Sequence, residues 1–347
     1  METELNRFLR ACRRQPVDHT PVWFMRQAGR SLPEYRAIRQ QHTLFEITRQ
    51  PELCAEVTLQ PVRRLGVDAA ILFSDIMQPL EAVGIGVELV ENVGPVIATP
   101  LRTSDDIARL RPLEPEADLP YVLQTIRHLR RELSTETALI GFVGAPFTLA
   151  GYLVEGKPSR EFVRTKQMMY GEPALWESLM SRLADIVIAY GGAQVAAGVQ
   201  VLQVFDSWIG ALSPRDYTRY VQPYMRRIFD ELGGSVPQIH FGTGTATLLE
   251  HMAEAGGDVI GLDWRVPLDD GWRRVGGPER VGIQGNLDPA VLLAPWDVVE
   301  REAAEVLRQA GGRPGHIFNL GHGVLPAANP DTLHRLVDFV HAATTGK

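Results

Sequence analysis

TALIGFV, residues 137–143, carries no charge and no proline, and it runs straight into the glycine-containing stretch GAPFTLAGYLVEG (144–156). A half-exposed strand would alternate apolar and polar residues. A run this short and this apolar fits a strand buried on both faces of a parallel sheet. Working outward, similar runs recur along the chain: PVWFM (21–25), VDAAILF (67–73), VQVLQVF (199–205), VPQIHF (236–241), DVIGLDW (258–264), VGIQGN (281–286) and HIFNLG (316–321). Between them lie segments with helical spacing. LWESLMSRLADIVIAYGGAQVAAG (175–198) is one; SPRDYTRYVQPYMRRIFDELGG (213–234) and PWDVVEREAAEVLRQAGG (295–312) both place proline early and Gly-Gly late, the usual asymmetry of helix ends. Pro223 predicts a kink in the second of these.

Strands that alternate with helices imply βαβ units. Eight such runs favour a closed (β/α)8 TIM barrel over an open doubly wound sheet. The stretch 84–110 breaks the rhythm and predicts a hairpin with a turn near Asn92–Pro95. No linker rich in Gly, Ser or Pro divides the chain, so residues 1–347 are expected to form one domain.

Composition narrows the function. The 347 residues are 45% hydrophobic and 22% charged, ordinary for a globular protein. With 35 Lys and Arg against 42 Asp and Glu, the net charge is −7. A nucleic-acid binder normally shows a basic excess, so no nucleic-acid partner is expected. No run approaches a membrane span or a secretory signal, so no membrane partner and a cytoplasmic location are expected. Cys12 and Cys54 fall in no metal-binding or redox pattern and read as unpaired thiols.

In a (β/α)8 barrel the active-site cleft lies at the C-terminal ends of the strands. There stand Arg26-Gln27-Ala28-Gly29-Arg30, Ser74-Asp75, Tyr152, Asp206-Ser207, His240, Asp263, Asn286 and, in NLGHG, Asn319 and His322. Arg26, Arg30, Arg36 and Arg39 crowd together in an acidic chain. A planar guanidinium bonds oxyanions in pairs, which suits carboxylates or phosphates. Each residue also has a structural reading: ion pairs for Arg26 and Arg30, helix-face charges for Arg36 and Arg39, helix caps for Asp75 and Ser207, a core tyrosine, a loop histidine. No HExxH, GxxxxGK or nucleophile-elbow pattern occurs.

The stretches PVWFMRQAGRSLPEYR (21–36), ILFSDIMQP (71–79), GFVGAPFTLAGYLVEG (141–156), FDSWIGALSP (205–214), HFGTGT (240–245), IQGNLDP (283–289) and FNLGHGVLP (318–326) resemble, in order, the landmarks of the uroporphyrinogen decarboxylase family. The resemblance implies a single-domain barrel, a homodimer and a carboxy-lyase of haem and tetrapyrrole biosynthesis. Such an enzyme converts the four acetate side chains of uroporphyrinogen III to methyl groups, giving coproporphyrinogen III and four CO2, with no metal and no organic cofactor. It implies that Arg26, Gln27, Ala28, Gly29, Arg30, Arg39, Asp75, Tyr152, Ser207 and His322 bind the tetrapyrrole substrate. Asp75, Arg30 and Tyr152 are the implied catalytic residues. Asp75 would accept from the pyrrole N–H groups, held ionised by neighbouring arginines. The proton donor stays open between Arg30, an arginine-bound water and a substrate carboxyl. The alternatives are a corrinoid-dependent methyltransferase of the same superfamily, which would need zinc held by His and Cys, and a non-catalytic porphyrin-binding protein. Against the first, Cys12 and Cys54 lie in helix-like segments and no HxC pattern appears.

Overall fold

The computed structural model describes residues 6–29, 31–90 and 93–346. Among them nine strands form: β1 (Ala69–Ile71), β2 (Val87–Val90), β3 (Gly94–Ile97), β4 (Ala138–Gly144), β5 (Val201–Asp206), β6 (Gln238–Gly242), β7 (Val259–Gly261), β8 (Gly282–Leu287) and β9 (His316–Leu320). β2 and β3 pair antiparallel as the expected hairpin. Val93 N donates to Val90 O (3.1 Å) where the two strands join, and Glu91 and Asn92, with the expected turn, lie outside the described residues. The other seven strands make one parallel sheet in the order β1-β4-β5-β6-β7-β8-β9.

That sheet is buried on both faces, as its composition demands. β4 sends Ala138, Ile140 and Phe142 into one cluster, and Leu139 and Val143 into another. The first cluster also collects Ala69 and Ile71 from β1, Val201 from β5, Ile239 and Phe241 from β6, Val259 from β7 and Ile317 from β9. Both ends of the sheet feed the same cluster, so the sheet is curled around it. The helix Arg7–Cys12 plugs this core with Phe8, Leu9, Ala11 and Cys12. A buried polar chain crosses it: Trp23 Nε1 donates to Gln284 Oε1 (3.0 Å), and Gln284 Nε2 donates to Gln203 Oε1 (3.1 Å). The outer face packs against helices that start on proline and stop on glycine. Pro51–Leu65 ends at Gly66 (φ 70°) and Trp296–Ala310 at Gly311 (φ 65°), both left-handed caps.

Two elements differ from expectation. PVWFM is not a ladder strand; Val22 makes a single bridge to Phe318. Trp23 N donates to Phe318 O (3.3 Å), Phe318 N to Pro21 O (2.9 Å) and Asp68 N to Val22 O (2.8 Å). The remaining amides go to side chains instead: Val22 N to Asp68 Oδ2 (2.7 Å), Phe24 N to Gln27 Oε1 (3.0 Å) and Met25 N to Asn319 Oδ1 (3.1 Å). Even so, Trp23 and Met25 join the inner core while Val22 and Phe24 join the outer one. The segment alternates as a strand does, without a strand's bonds. Second, Pro223 breaks its helix rather than kinking it. Pro214–Tyr220 ends, and Gln222–Leu232 restarts with Pro223 in its first turn, where the missing N–H is no loss. Among the described residues no helix is long and apolar enough to cross a membrane.

Candidate functional site

Arg26 is built with unusual care. Its φ of +61° is left-handed, a conformation costing a non-glycine residue about 1–2 kcal/mol. The chain on either side fixes it. Asn319 holds the amide of Met25, and the buried Gln27 side chain both accepts from Phe24 N and donates to Ala69 O (2.9 Å). Two glycines make the room. A Cβ on Gly29 would lie 2.5 Å from the Arg26 carbonyl oxygen, and one on Gly323 would lie 2.5 Å from Arg26 Cδ. Arg26 is exposed, and no hydrogen bond or ion pair joins it to another described residue. The ion-pair reading therefore fails for it among those residues. Its positive field acts instead on Asp75, Tyr152 and His322.

Asp75 follows β1. Its Oδ1 accepts from Met77 N (2.8 Å) and so turns the chain into the short helix Gln78–Ala82. Ionisation held by neighbouring arginines was the expectation, and Arg26 does act in that direction on the carboxyl. Burial raises the Asp75 carboxyl above the usual aspartate range and outweighs both the Met77 amide and Arg26.

Tyr152 stands on the helix Pro146–Glu155 that follows β4. Burial pushes its hydroxyl up to about 12, so it stays protonated at ordinary pH. Its ring meets Trp208 edge-on, with centroids 5.9 Å apart. Trp208 is fixed in turn: its amide donates to Thr148 Oγ1 (3.2 Å), which donates to Asp206 Oδ1 (3.0 Å). Ser207 lies between Asp206 and Trp208, half-buried, its carbonyl accepting from Thr243 Oγ1 (2.5 Å). His322 is lowered to about 4 by burial, with Arg26 and Arg265 adding to the effect and Asp263 opposing it, so the ring is neutral at ordinary pH.

Arg26, Asp75, Tyr152 and His322 thus share one electrostatic neighbourhood beyond the carboxyl ends of the strands, and Ser207 adjoins it through Trp208. Gln27 is different: both ends of its buried amide are occupied inside the protein. Ala28 and Gly29 are half-buried, and Gly29 O accepts from Leu32 N (3.0 Å). Arg39 is exposed at the end of the helix Pro33–Arg39 and donates to the His42 carbonyl; no bond ties it to the group. Arg36 is also exposed. Arg30 lies outside the described residues.

His240 is buried against the Phe229 ring (4.9 Å). Asp263 accepts from Arg265 N (2.8 Å) and Arg265 Nη1 (2.9 Å), a structural role. Sequence reasoning missed Trp208 and Arg265. The signal for Trp208 was its place directly after Ser207; Arg265 had none, because its place depends on Asp263. Cys12 and Cys54 are buried in helices, and burial raises both thiols, that of Cys54 to about 12. Thiols so held are inert, which leaves zinc-thiolate chemistry unsupported.

A curled parallel sheet with polar residues gathered past the strands' carboxyl ends, the exposed Arg26 among them, defines an α/β protein of the barrel type. The family model described as uroporphyrinogen decarboxylase (URO-D) matches residues 3–343. The chain belongs to the uroporphyrinogen decarboxylase family. A uroporphyrinogen decarboxylase from Streptomyces coelicolor is 58% identical over 339 residues, covering 97% of this chain and 94% of that protein. One from Thermus thermophilus is 56% identical over 335 residues, covering 96% of each. A solved methyltransferase from Methanosarcina mazei superposes with a TM-score of 0.77 at 20% identity, covering 98% of this chain and 99% of that one, a likeness of fold.

Proposed function

We propose that this protein decarboxylates uroporphyrinogen III to coproporphyrinogen III, removing CO2 from each of four acetates. The observation that carries the reading is Arg26, an exposed arginine without a partner among the described residues, whose field covers Asp75, Tyr152 and His322. Family membership across nearly the whole chain supports the same reaction.

Arg26 and Arg30 take substrate carboxylates as paired hydrogen bonds. Asp75 accepts from the inward-facing pyrrole N–H groups. Those donors favour its charged form and lower a pKa that burial has raised. When a pyrrole carbon is protonated, the Asp75 charge stabilises the resulting cation. The bond between the acetate CH2 and its carboxylate then breaks, and the electron pair flows into the cationic ring as CO2 leaves. A proton delivered to the exocyclic carbon makes the methyl group, and the ring proton is returned. Each acetate thus loses one CO2 and gains one proton. The ring serves as electron sink, so the chemistry asks for no organic cofactor. Tyr152, protonated throughout, donates to the substrate; Ser207, His322 and Arg39 complete its contacts, and Gln27, Ala28 and Gly29 shape the loop that aims Arg26.

In this reading the described sheet is seven-eighths of a single-domain (β/α)8 barrel. Residues 21–25 act as the eighth stave, which the contacts of Val22 and Trp23 with β9 and of Val22 with Asp68 support. The protein works as a cytoplasmic homodimer; sedimentation measures the dimer. The deciding experiment is anaerobic incubation of the purified protein with uroporphyrinogen III, then oxidation and chromatography. Stepwise seven-, six-, five- and four-carboxyl porphyrins are expected. No turnover by folded protein would overturn the reading.

A further inference from the structure

At the amino end of β1, opposite the end where Asp75 lies, His19, Asp68 and His341 converge. One ligand atom from each lies within 4.8 Å of the others. The two imidazole rings sit 4.2 Å apart. His341 Nε2 is 2.8 Å from Asp68 Oδ2. His19 Nδ1 is 3.1 Å from Asp18 Oδ2. Its other nitrogen, Nε2, is buried and has no hydrogen-bond partner among the described residues.

These contacts orient the group. A proton on His19 Nδ1 satisfies Asp18 and leaves Nε2 as a bare lone pair facing inward. A carboxylate behind a histidine in this way is the usual outer support of a metal-binding imidazole. Asp68 is aimed as well. Arg7 Nη1 holds its Oδ1 (2.9 Å), and Val22 N takes one lone pair of Oδ2, leaving the other toward His341. Arg7 also bonds Asp18 (2.8 Å). Two carboxylates against one guanidinium leave the cluster negative while both imidazoles are neutral.

We propose that His19, Asp68 and His341 form a binding site for a divalent transition-metal ion of the zinc type, with water completing the shell. Two nitrogens and one carboxylate oxygen suit zinc; magnesium and calcium prefer all-oxygen shells. Ligand atoms on tetrahedral zinc stand roughly 3.3 Å apart for bonds of about 2.0–2.1 Å, so the His341–Asp68 pair opens by about half an ångström. As the metal enters, the His341 proton passes by way of solvent from Nε2 to Nδ1, so the ring stays neutral and offers Nε2 as a lone pair. The three ligands come from the loop before residues 21–25, the start of β1 and the last helix, Pro330–Thr344. The ion therefore fastens both ends of the chain to the sheet and takes no part in the decarboxylation.

The test uses chelator-treated full-length protein titrated with Zn2+ alone against a chromophoric zinc competitor. One equivalent is expected to bind with Kd at or below ~1 µM, and the melting temperature should rise by several degrees by linkage. His19→Ala should weaken binding at least ~100-fold. His19→Phe keeps the ring packed on His341 and removes only the nitrogens, so its thermal melt without metal separates lost ligation from lost folding. Co2+ in place of Zn2+ should give visible absorption in the wild type and none in His19→Phe. Decarboxylation should be unchanged in both variants. No saturable Zn2+ binding below ~100 µM, or equal affinity in folded His19→Phe, would overturn the proposal.

Discussion

Asp75 stands under two opposed demands: the reaction needs its charge, and its surroundings resist it. Burial raises its native pKa, so between the unfolded value near 3.9 and that raised value the folded state holds the extra proton. Stability must fall as pH rises through this window. Asp75→Asn keeps an acceptor for Met77 N and carries no charge. It should fold, melt above wild type at pH 7–8, lose that advantage below about pH 4, and lose most turnover. Melts across pH beside the porphyrin assay check this; a pH-independent difference in melting would remove the raised acid, and wild-type turnover would remove its role. Arg26→Ala should raise KM most at low ionic strength, where an exposed charge steers an anion best. Gly323→Ala should do the same less severely, because the new methyl meets Arg26 Cδ: KM up about tenfold, or ~1.4 kcal/mol, with kcat little changed. The placement of Arg26 and Asp75 past the strand ends was legible in the sequence. The raised pKa of Asp75 was not, because burial is a property of the assembled site. Nor was the role of Gln27, whose partners, the Phe24 amide and the Ala69 carbonyl, no composition reveals.

The loop after β5 is tied down as a unit. Thr148 bridges Asp206 and the Trp208 amide, and Trp208 in turn packs on Tyr152. Thr148→Val should leave that amide without its acceptor and lower kcat/KM through Tyr152 and Ser207, while combining it with Tyr152→Phe should cost less than the sum. Kinetics on the double-mutant cycle measure it. Asp206 is raised to about 7 by burial, against Thr148. Native protein therefore binds the proton more tightly than unfolded protein, and stability falls as pH climbs from about 4 to 7. Asp206→Asn should flatten that part of the profile, by an amount urea titrations at several pH values can read. The seven parallel strands were legible because double burial leaves an unmistakable apolar run. Residues 21–25 read as an eighth ladder strand for the same reason. What sets them apart is that Asp68, Gln27 and Asn319 intercept their amides, two of these from far along the chain. Arg39 read as part of the arginine cluster because it is near in sequence; the fold places it exposed at a helix end, bonded to the His42 carbonyl.

At the scale of the molecule, the chain is closed by contacts that sequence spacing does not announce. His19, Asp68 and His341 meet although 273 residues separate the last two. Met25 and Asn319 bond across 294 residues, and Phe318 exchanges hydrogen bonds with residues 21–23. Asn319→Ala should therefore loosen the first segment and lower overall stability by about 1–3 kcal/mol, the usual cost of orphaning a buried amide, as read from denaturant unfolding. The same closure has a consequence on the ribosome. Residues 21–25 emerge long before their partners on β9 are made. At ~5–20 residues per second the segment waits roughly 15 to 60 s with Trp23, Phe24 and Met25 uncovered. Nascent chains stalled before residue 316 should stay open to proteases near Phe24 and recruit chaperones there, and release of the finished chain should end both.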